Sequence, residues 1–250
     1  MGAWLDGLLT NRVREAAPVF AALLSPQGKI VADMVVTPDA NGGAGGGGGY
    51  LIDTTEAMGA ELLGRLKMYV LRAPIMVEAV DVMVQAVWDE DEAAGHVDPR
   101  HASLGRRVIG AAGVADASLA DYDRHRLSLG VPDSLFDYGP GEMFPHDACM
   151  DELNGVDLHK GCFVGQEVVS RMARLGTVRK RIRTVLLEGE ANVGDEVRAG
   201  AQKEGRRVGD VLHVEGGMAS ALMRLDRVAA ATESLTVGGV PCRVMAGPQG

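Results

Sequence analysis

The chain of 250 residues is poor in aromatic residues, in cysteine and in long apolar runs. Because only 4% of its residues are aromatic, few side chains could form stacking platforms for single-stranded bases. The three cysteines, Cys149, Cys162 and Cys242, are widely spaced and form no CxxC pair. This pattern excludes a disulfide framework and a four-thiolate zinc or iron–sulfur site within one chain, and it is typical of a reducing compartment.

Targeting signals and common catalytic motifs are also missing. No apolar run approaches the roughly 18 residues that span a bilayer, and no basic region followed by an apolar stretch opens the chain. Asp6 lies where an N-myristoylation signal needs Ser or Thr. There is no HExxH, GxSxG or P-loop motif, and no two histidines lie four residues apart. The net charge of −9 argues against a general nucleic-acid coat. We therefore predict a cytoplasmic protein without a membrane partner or a metal site.

Hydrophobic periodicity predicts an α+β part followed by a small β-barrel. In the first part, helices would pack against one face of a sheet. We predict strands over residues 19–24, 30–37, 50–53, 75–80 and 82–88. We also predict a helix that Thr54 or Thr55 caps and that runs to about residue 72, and helices over residues 116–129 and 166–174. Five further strands with glycine-containing turns are predicted over residues 179–188, 196–198, 208–214, 220–225 and 235–245. The sequence changes to short predicted strands with glycine-containing turns near residue 178, so we predict domains over residues 1–178 and 179–250.

Residues 42–49 contain seven glycines in eight positions. Such a run loses much backbone entropy on ordering, and we predict that it forms the tip of a hairpin loop. It also matches GxGxxG, the pattern of a phosphate-binding loop. However, no Lys-Ser/Thr pair follows it, and residues 50–52 favour a strand rather than a helix N-terminus.

The most unusual segment is KGCFVGQE at residues 160–167. Its two glycines, Gly161 and Gly165, permit close approach of the backbone to a ligand. Cys162 lies just before a predicted helix start and near cations, and both features favour the thiolate form. The alternative reading is a tight turn in which Cys162 is a small buried hydrophobic residue and Glu167 complements the helix dipole. The residues alone leave both readings open.

This octapeptide resembles the signature KGC[YF]xGQE of the YgfZ family, which is related to the folate-binding aminomethyltransferase of the glycine cleavage system. Three further segments are similar to segments of that family and occur in the same order: WLDGLLTN at 4–11, LLSPQGKIVAD at 23–33 and RLSLGVP at 126–132. The resemblance covers nearly the whole chain. It implies two folate-binding α+β subdomains in a three-lobed ring, followed by a C-terminal β-barrel.

The resemblance also implies a function: tetrahydrofolate binding that supports the assembly or repair of iron–sulfur enzymes. Expected partners are folate, iron–sulfur client proteins or assembly factors, and tRNA-modifying enzymes. On this view Cys162 is the functional thiol and Lys160 supports it. The expected folate-binding residues are Asn11, Asp33, Arg126, Gly161, Gly165, Gln166, Glu167 and Arg171. Cys162 is expected to border the folate cavity.

Several departures from the family pattern bear on the activity. Related aminomethyltransferases carry two adjacent carboxylates where this chain has Ala32 and Asp33, and a glutamate where it has Ser128. Losing carboxylates that position a reacting nitrogen favours a binding protein over an enzyme with turnover. A folate-dependent one-carbon transferase is the alternative. The family also has a strand before the segment that starts here at Trp4. Two readings follow: the chain begins at the wrong Met, or it lacks that strand and leaves a sheet edge exposed.

A local cluster of positive charge offers a third reading. Six cations fall within residues 171–183, with no acid among them: Arg171, Arg174, Arg179, Lys180, Arg181 and Arg183. They could bind a folate glutamate tail, an acidic partner or tRNA phosphates. Equally, alternate residues of a strand could form a solvated face.

Overall fold

The computed structural model describes residues 1–39, 48–71, 73–89, 94–110, 113–176, 178–200 and 205–248. A short helix, α1 (Gly2–Asp6), precedes an antiparallel sheet of β1 (Val19–Leu24), β2 (Ile30–Asp39) and β3 (Gly49–Asp53), in that spatial order. All six residues of β1 are buried, and the helix α2 (Glu56–Val70) packs against β2. This sheet is the centre of the main hydrophobic core.

The outer edge of β1 is covered, contrary to the expectation of an exposed sheet edge. Leu9 forms an antiparallel bridge with Leu23, and the Thr10 amide donates to the Ala22 carbonyl at 2.9 Å. The Thr10 hydroxyl accepts from the Ala22 amide at 2.8 Å. Leu9 and Thr10 therefore bind backbone groups of Ala22 and Leu23 that would be unpaired on an edge strand.

The turn between β1 and β2 agrees with the predicted turn residues 25–28, with Gly28 at a φ of +81°. The hairpin between β2 and β3 pairs Asp39 with Gly49. Most of the glycine run, residues 42–47, lies outside the described residues.

A second sheet consists of β4 (Val84–Val87), β5 (His96–Val97) and β6 (Arg106–Ile109), with β6 in the middle. The predicted strand over residues 75–80 is wrong: this segment is not a strand, and Met76 is 64% exposed. Its residues have the composition of a strand, but the sheet takes its other two strands from β5 and β6, neither of which the sequence predicted. Strand propensity without a partner strand does not form a sheet.

Two further helices complete the α+β part. The helix α3 (Leu119–Ser128) begins later than predicted, because Ser118 and Asp121 form a reciprocal capping box. The helix α4 (Gln166–Arg174) has the predicted bounds and follows Gly165, which lies at a φ of +77°. Between them runs an irregular segment that nevertheless contributes core residues, including Met143, Met150 and Leu153.

The C-terminal part is a closed antiparallel barrel with its own apolar core. Its strands are β7 (Lys180–Leu187), β8 (Glu196–Ala199), β9 (Arg206–Glu215), β10 (Met218–Arg224), β11 (Leu235–Val237) and β12 (Val240–Val244). A short helix, α5 (Leu225–Ala229), follows β10. Six strands close the barrel where five were predicted, because residues 235–245 form a hairpin rather than one strand. The predicted α+β class with a C-terminal barrel is confirmed.

Among the residues described, no helix is long and apolar enough to cross a bilayer.

Candidate functional site

A cavity of about 1140 Å³ opens between the two sheets of the α+β part. Its walls come from β2 and the end of β3, from β4 and the residues after it, from α3 and the segment that precedes α3, and from residues 133–135. The polar groups at its base are Asp33, Asp53, Arg100, Arg107, Tyr122, Asp133 and Ser134.

Asp33 is the buried carboxylate on β2 that faces this cavity. Its two oxygens accept hydrogen bonds from the Ser134 hydroxyl and the Tyr138 phenol, each at 2.6 Å. Burial raises the pKa of Asp33, and these two hydrogen bonds offset that rise only in part. Its neighbour Ala32 is fully buried in the hydrophobic core, as expected for successive residues on opposite faces of a strand.

Two arginines at the cavity base are fully engaged with carboxylates. Arg100 donates to Asp98 at 3.0 and 2.8 Å, and to Asp133 at 2.7 Å. Arg107 binds Asp53 through two nitrogens, at 2.8 and 2.7 Å. Burial alone would raise the pKa of Asp133, but the charge and hydrogen bond of Arg100, the Leu135 amide and the charge of Arg126 together lower that pKa. These guanidinium groups therefore fix the cavity base rather than offering free positive charge.

One wall of the cavity is aromatic. The ring of Trp88 stacks on His125, with centroids 5.1 Å apart and planes 12° apart, and lies 6.2 Å from the ring of Tyr122. The Tyr122 phenol donates to Asp133 at 3.0 Å. Burial raises its pKa to about 12, so the phenol stays protonated at neutral pH. An aromatic wall beside buried acceptors suits a flat heterocycle with N–H groups.

Lys160 holds the segment 160–167 against the N-terminal segment. Its ammonium group donates to the carbonyls of Leu9 and Asn11, at 2.7 and 2.8 Å. Burial lowers its pKa, and the carboxylates of Asp6 and Asp157 oppose this shift. The Asn11 amide in turn donates to the carbonyls of Phe20 and Asn154, at 2.9 and 2.6 Å. Both residues brace the backbone and neither lines the cavity.

Gly165 joins the thiol segment to the turn between β1 and β2. A Cβ atom at Gly165 would lie 2.7 Å from the Ser25 carbonyl oxygen, and one at Gly28 would lie 2.9 Å from the Cβ of Val168. No real side chain tolerates such distances, so both positions require glycine. Gly161, by contrast, has open space around it. Three of the quoted sequence segments thus meet at one rigid junction.

Cys162 is exposed on this junction, whereas the other two thiols are not. Cys149 is buried, and burial raises its pKa to about 12; burial likewise raises the pKa of Cys242, in the barrel, to about 11. Cys162 is therefore the most exposed of the three thiols. Neither Cys162 nor its neighbours in the motif line that cavity, so the structure does not bring the predicted thiol and the main cavity together.

The remaining predicted site residues lie in two other places. Gln166, Glu167 and Arg171 line a shallow cleft of about 500 Å³ along α4. Arg126 is a fully buried residue of α3 that pairs with Asp123 and Asp137, and it does not line the cavity. Of the predicted folate-binding residues, the structure places Asp33 in the main cavity.

Sequence reasoning missed most of the cavity residues. Trp88, Arg100, Arg107, Tyr122 and Asp133 come from separate segments and share no motif. Asp133 follows directly on the quoted segment 126–132, which was the one available signal.

The basic stretch 171–183 divides into paired and unpaired cations. Arg181 forms a two-point contact with Asp151, at 2.7 and 2.8 Å, and Arg183 binds Glu152 at 3.0 Å. Both arginines tie β7 to the irregular segment. Both predictions for this stretch need correction. Two of the six cations are already paired with carboxylates, and Arg181 and Arg183 of β7 do not lie on a solvated face.

The fold and the cavity define the class of protein as one with an aminomethyltransferase-like fold that ends in a barrel. The structure aligns with the crystal structure of glycine cleavage system aminomethyltransferase T from Bartonella henselae, with a TM-score of 0.74. The alignment covers 99% of this chain and 80% of that chain at 14% identity, which shows a shared fold alone. Residues 179–246 match the family model described as CAF17, C-terminal beta-barrel domain.

More particularly, the chain is similar in sequence to mitochondrial iron–sulfur cluster assembly factors named IBA57. It is 33% identical over 222 residues to the IBA57 homolog of Coccidioides immitis, covering 74% of this chain and 52% of that protein. It is 29% identical to mouse IBA57, covering 74% of this chain and 61% of the relative. The chain spans about half the length of the relatives from Coccidioides immitis, Neurospora crassa and Mycosarcoma maydis.

Proposed function

We propose that this chain is a tetrahydrofolate-binding accessory protein for the assembly or repair of iron–sulfur enzymes, and that it acts through Cys162. The similarity to iron–sulfur cluster assembly factors supports a role in iron–sulfur assembly. The observation that carries the role of the thiol is its placement: Cys162 is the exposed cysteine, held on a junction that Lys160 and Gly165 make rigid.

The cavity supports the folate part of the proposal. Asp33 keeps acceptor capacity beyond its two hydroxyl partners, because each carboxylate oxygen has two lone pairs. It can therefore hold the N–H edge of a pterin ring, while Trp88 flanks the ring plane. Bound tetrahydrofolate would supply a carrier for one-carbon groups. The protein's contribution is to hold the ring and to shield it from water.

Binding without turnover fits the cavity better than aminomethyl transfer. Asp53 and Asp133, which also line the cavity, are each paired with an arginine. Ala32 faces the core, and Ser128 is exposed with its hydroxyl on the His125 carbonyl. The two departures from the aminomethyltransferase pattern, at Ala32 and Ser128, therefore add no second carboxylate beside Asp33.

Isothermal titration with tetrahydrofolate tests the cavity. We expect Asp33→Asn to weaken binding about 10- to 100-fold, because a charged acceptor is replaced by a neutral group. Cys162→Ala should bind folate as the wild type does, since the thiol lies outside the cavity. Absence of folate binding by the wild type would remove the cofactor from the proposal.

The thiol is tested by complementation in cells that lack this protein. We expect Cys162→Ala to fail to restore the activity of a dependent iron–sulfur enzyme. Cys242→Ala is the matched control, since it removes a half-buried thiol of the barrel and should restore that activity. Full rescue by Cys162→Ala would show that the thiol has no such role.

A further inference from the structure

The helix α4 has one inward face and one outward face. Val169 is fully buried, and Val168 packs against Gly28. The outward face carries Glu167, Arg171 and Arg174 at helical spacing, and together with Gln166, Ser170 and Leu175 these residues line the cleft of about 500 Å³. No described element covers this face, which we call the α4 face.

Unpaired positive charge is concentrated at the α4 face and just beyond it. Arg171, Arg174, Arg179 and Lys180 are all exposed, and none forms a salt bridge with any residue that the structure describes. The neighbouring cations Arg181 and Arg183 are neutralised by Asp151 and Glu152. One exposed carboxylate, Glu167, accompanies the four free cations. In a chain with a net charge of −9, this surface has the opposite sign.

The α4 face begins only a few residues after the exposed thiol of Cys162. Gln166 begins the helix four residues after the exposed Cys162, and the intervening Phe163 and Gly165 are fixed by burial and close packing. At the other end of the helix, Leu175 is 66% exposed and offers an apolar contact. A partner lying along the helix would therefore meet cations, an apolar side chain and a sulfur atom.

We infer that the α4 face docks an acidic protein segment carrying an apolar residue, and that docking brings this segment to Cys162. The inference rests on the proposed function of Cys162 and adds the kind of partner. Carboxylates would pair with Arg171 and Arg174, which raises the encounter rate more than the final affinity.

A protein segment fits this surface better than a nucleic acid does. The exposed Leu175 offers an apolar contact that a side chain of a protein segment can use and a phosphate backbone cannot. The aromatic residue of the region, Phe163, is buried, so no described side chain between residues 162 and 180 offers a base-stacking platform.

A thiol-exchange experiment tests docking and proximity together. The probe is a short peptide with several glutamates, one leucine and one cysteine, whose sulfur is bound to thionitrobenzoate. The Cys162 thiol loses its proton to the buffer, and the resulting thiolate attacks the peptide sulfur. A new disulfide forms between Cys162 and the peptide, and coloured thionitrobenzoate leaves. A peptide with glutamine in place of glutamate is the neutral comparison, and the Cys162→Ala protein gives the background rate.

We expect the acidic peptide to react with the wild type about tenfold faster than the glutamine peptide at low salt, with the difference shrinking as salt rises. The double variant Arg171→Glu/Arg174→Glu should lose this preference. Lys67→Glu/Arg206→Glu is the matched control, because it reverses two exposed cations elsewhere and should keep the preference. Circular dichroism checks that both variants fold.

Three outcomes overturn the inference: equal rates for the two peptides, a preference that survives at Arg171→Glu/Arg174→Glu, or tighter binding of a single-stranded RNA oligonucleotide than of the acidic peptide at the same salt. None of these outcomes contradicts the proposed function, which only the titration and complementation experiments test. Conversely, full rescue by Cys162→Ala would remove the role of the thiol while leaving the exchange rates as measured.

Discussion

Asp33 is a buried carboxylate bound by two hydroxyl groups, whereas its neighbour Asp133 is bound by an arginine. This difference gives the two side chains opposite effects on stability. The folded-state pKa of Asp33 is raised above the ordinary value of 3.8, so its charged form destabilises the folded protein at neutral pH. The pKa of Asp133 is lowered below 3.8, so its charged form stabilises the fold. A buried charge kept at a cost to stability is typical of a binding site.

We therefore expect Asp33→Asn to raise the free energy of unfolding at pH 7. The gain should be complete above the folded-state pKa and should shrink as the pH falls towards 3.8, where the folded wild type is already protonated. Asp133→Asn should have the opposite sign at pH 7, and its cost should shrink as the pH falls below 3.8. Urea unfolding of both variants across this range checks the signs. A loss of stability for Asp33→Asn at pH 7 would contradict the assigned role of burial.

At the scale of single elements, the start of α4 is fixed by the contact between Gly165 and the turn between β1 and β2. Gly165 lies at a φ of +77° and has no room for a Cβ atom, while Gly161, four residues earlier in the same motif, has open space. The two glycines of the motif thus have different reasons to be there. One is required by packing, and the other leaves space beside Cys162.

Alanine at these two glycines forms a matched pair of variants. We expect Gly165→Ala to lower the free energy of unfolding by about 1–3 kcal/mol, because it combines a strained φ with an overlap on the Ser25 carbonyl. Gly161→Ala should change it by less than about 0.5 kcal/mol. Urea denaturation followed by circular dichroism measures both values. Equal changes in the free energy of unfolding for the two variants would mean that the backbone around Gly165 can shift to make room for a methyl group.

Local patterns predicted those elements whose signals lie close together in sequence. The bounds 166–174 of α4 and the turn at residues 25–28 follow from glycine positions and helical spacing. The strand β5, with two residues, is too short to leave a pattern, and the unpaired segment 75–80 imitates one. The cavity joins Asp33 to Ser134 across 101 positions, a contact that no local periodicity encodes. For the same reason the sequence could not reveal that Cys162 and Asp33 belong to separate sites.

On the scale of the whole molecule, buried polar contacts join the α+β part to the barrel. Arg126 on α3 donates to Asp123 at 2.7 Å and pairs with Asp137. Each of these carboxylates also reaches the barrel: His213 of β9 lies 2.6 Å from Asp123, and the Ser220 hydroxyl of β10 donates to Asp137 at 2.6 Å. Arg126 therefore balances the two charges through which the parts are connected.

We expect Arg126→Met to lower the free energy of unfolding by about 3–5 kcal/mol, because it leaves two buried carboxylates without their cation. Arg124→Met is the matched control on the same helix: its pairs with Asp121 and Glu215 are half-exposed, so it should cost no more than about 1 kcal/mol. Both tryptophans, Trp4 and Trp88, belong to the α+β part, so their fluorescence reports its unfolding, while circular dichroism also reports the barrel. The two signals should coincide during urea unfolding of the wild type and of Arg124→Met, and should separate in Arg126→Met as the parts lose their connection. Coincident curves for Arg126→Met, or an equal cost for the two variants, would show that the barrel is held to the rest of the chain by other contacts.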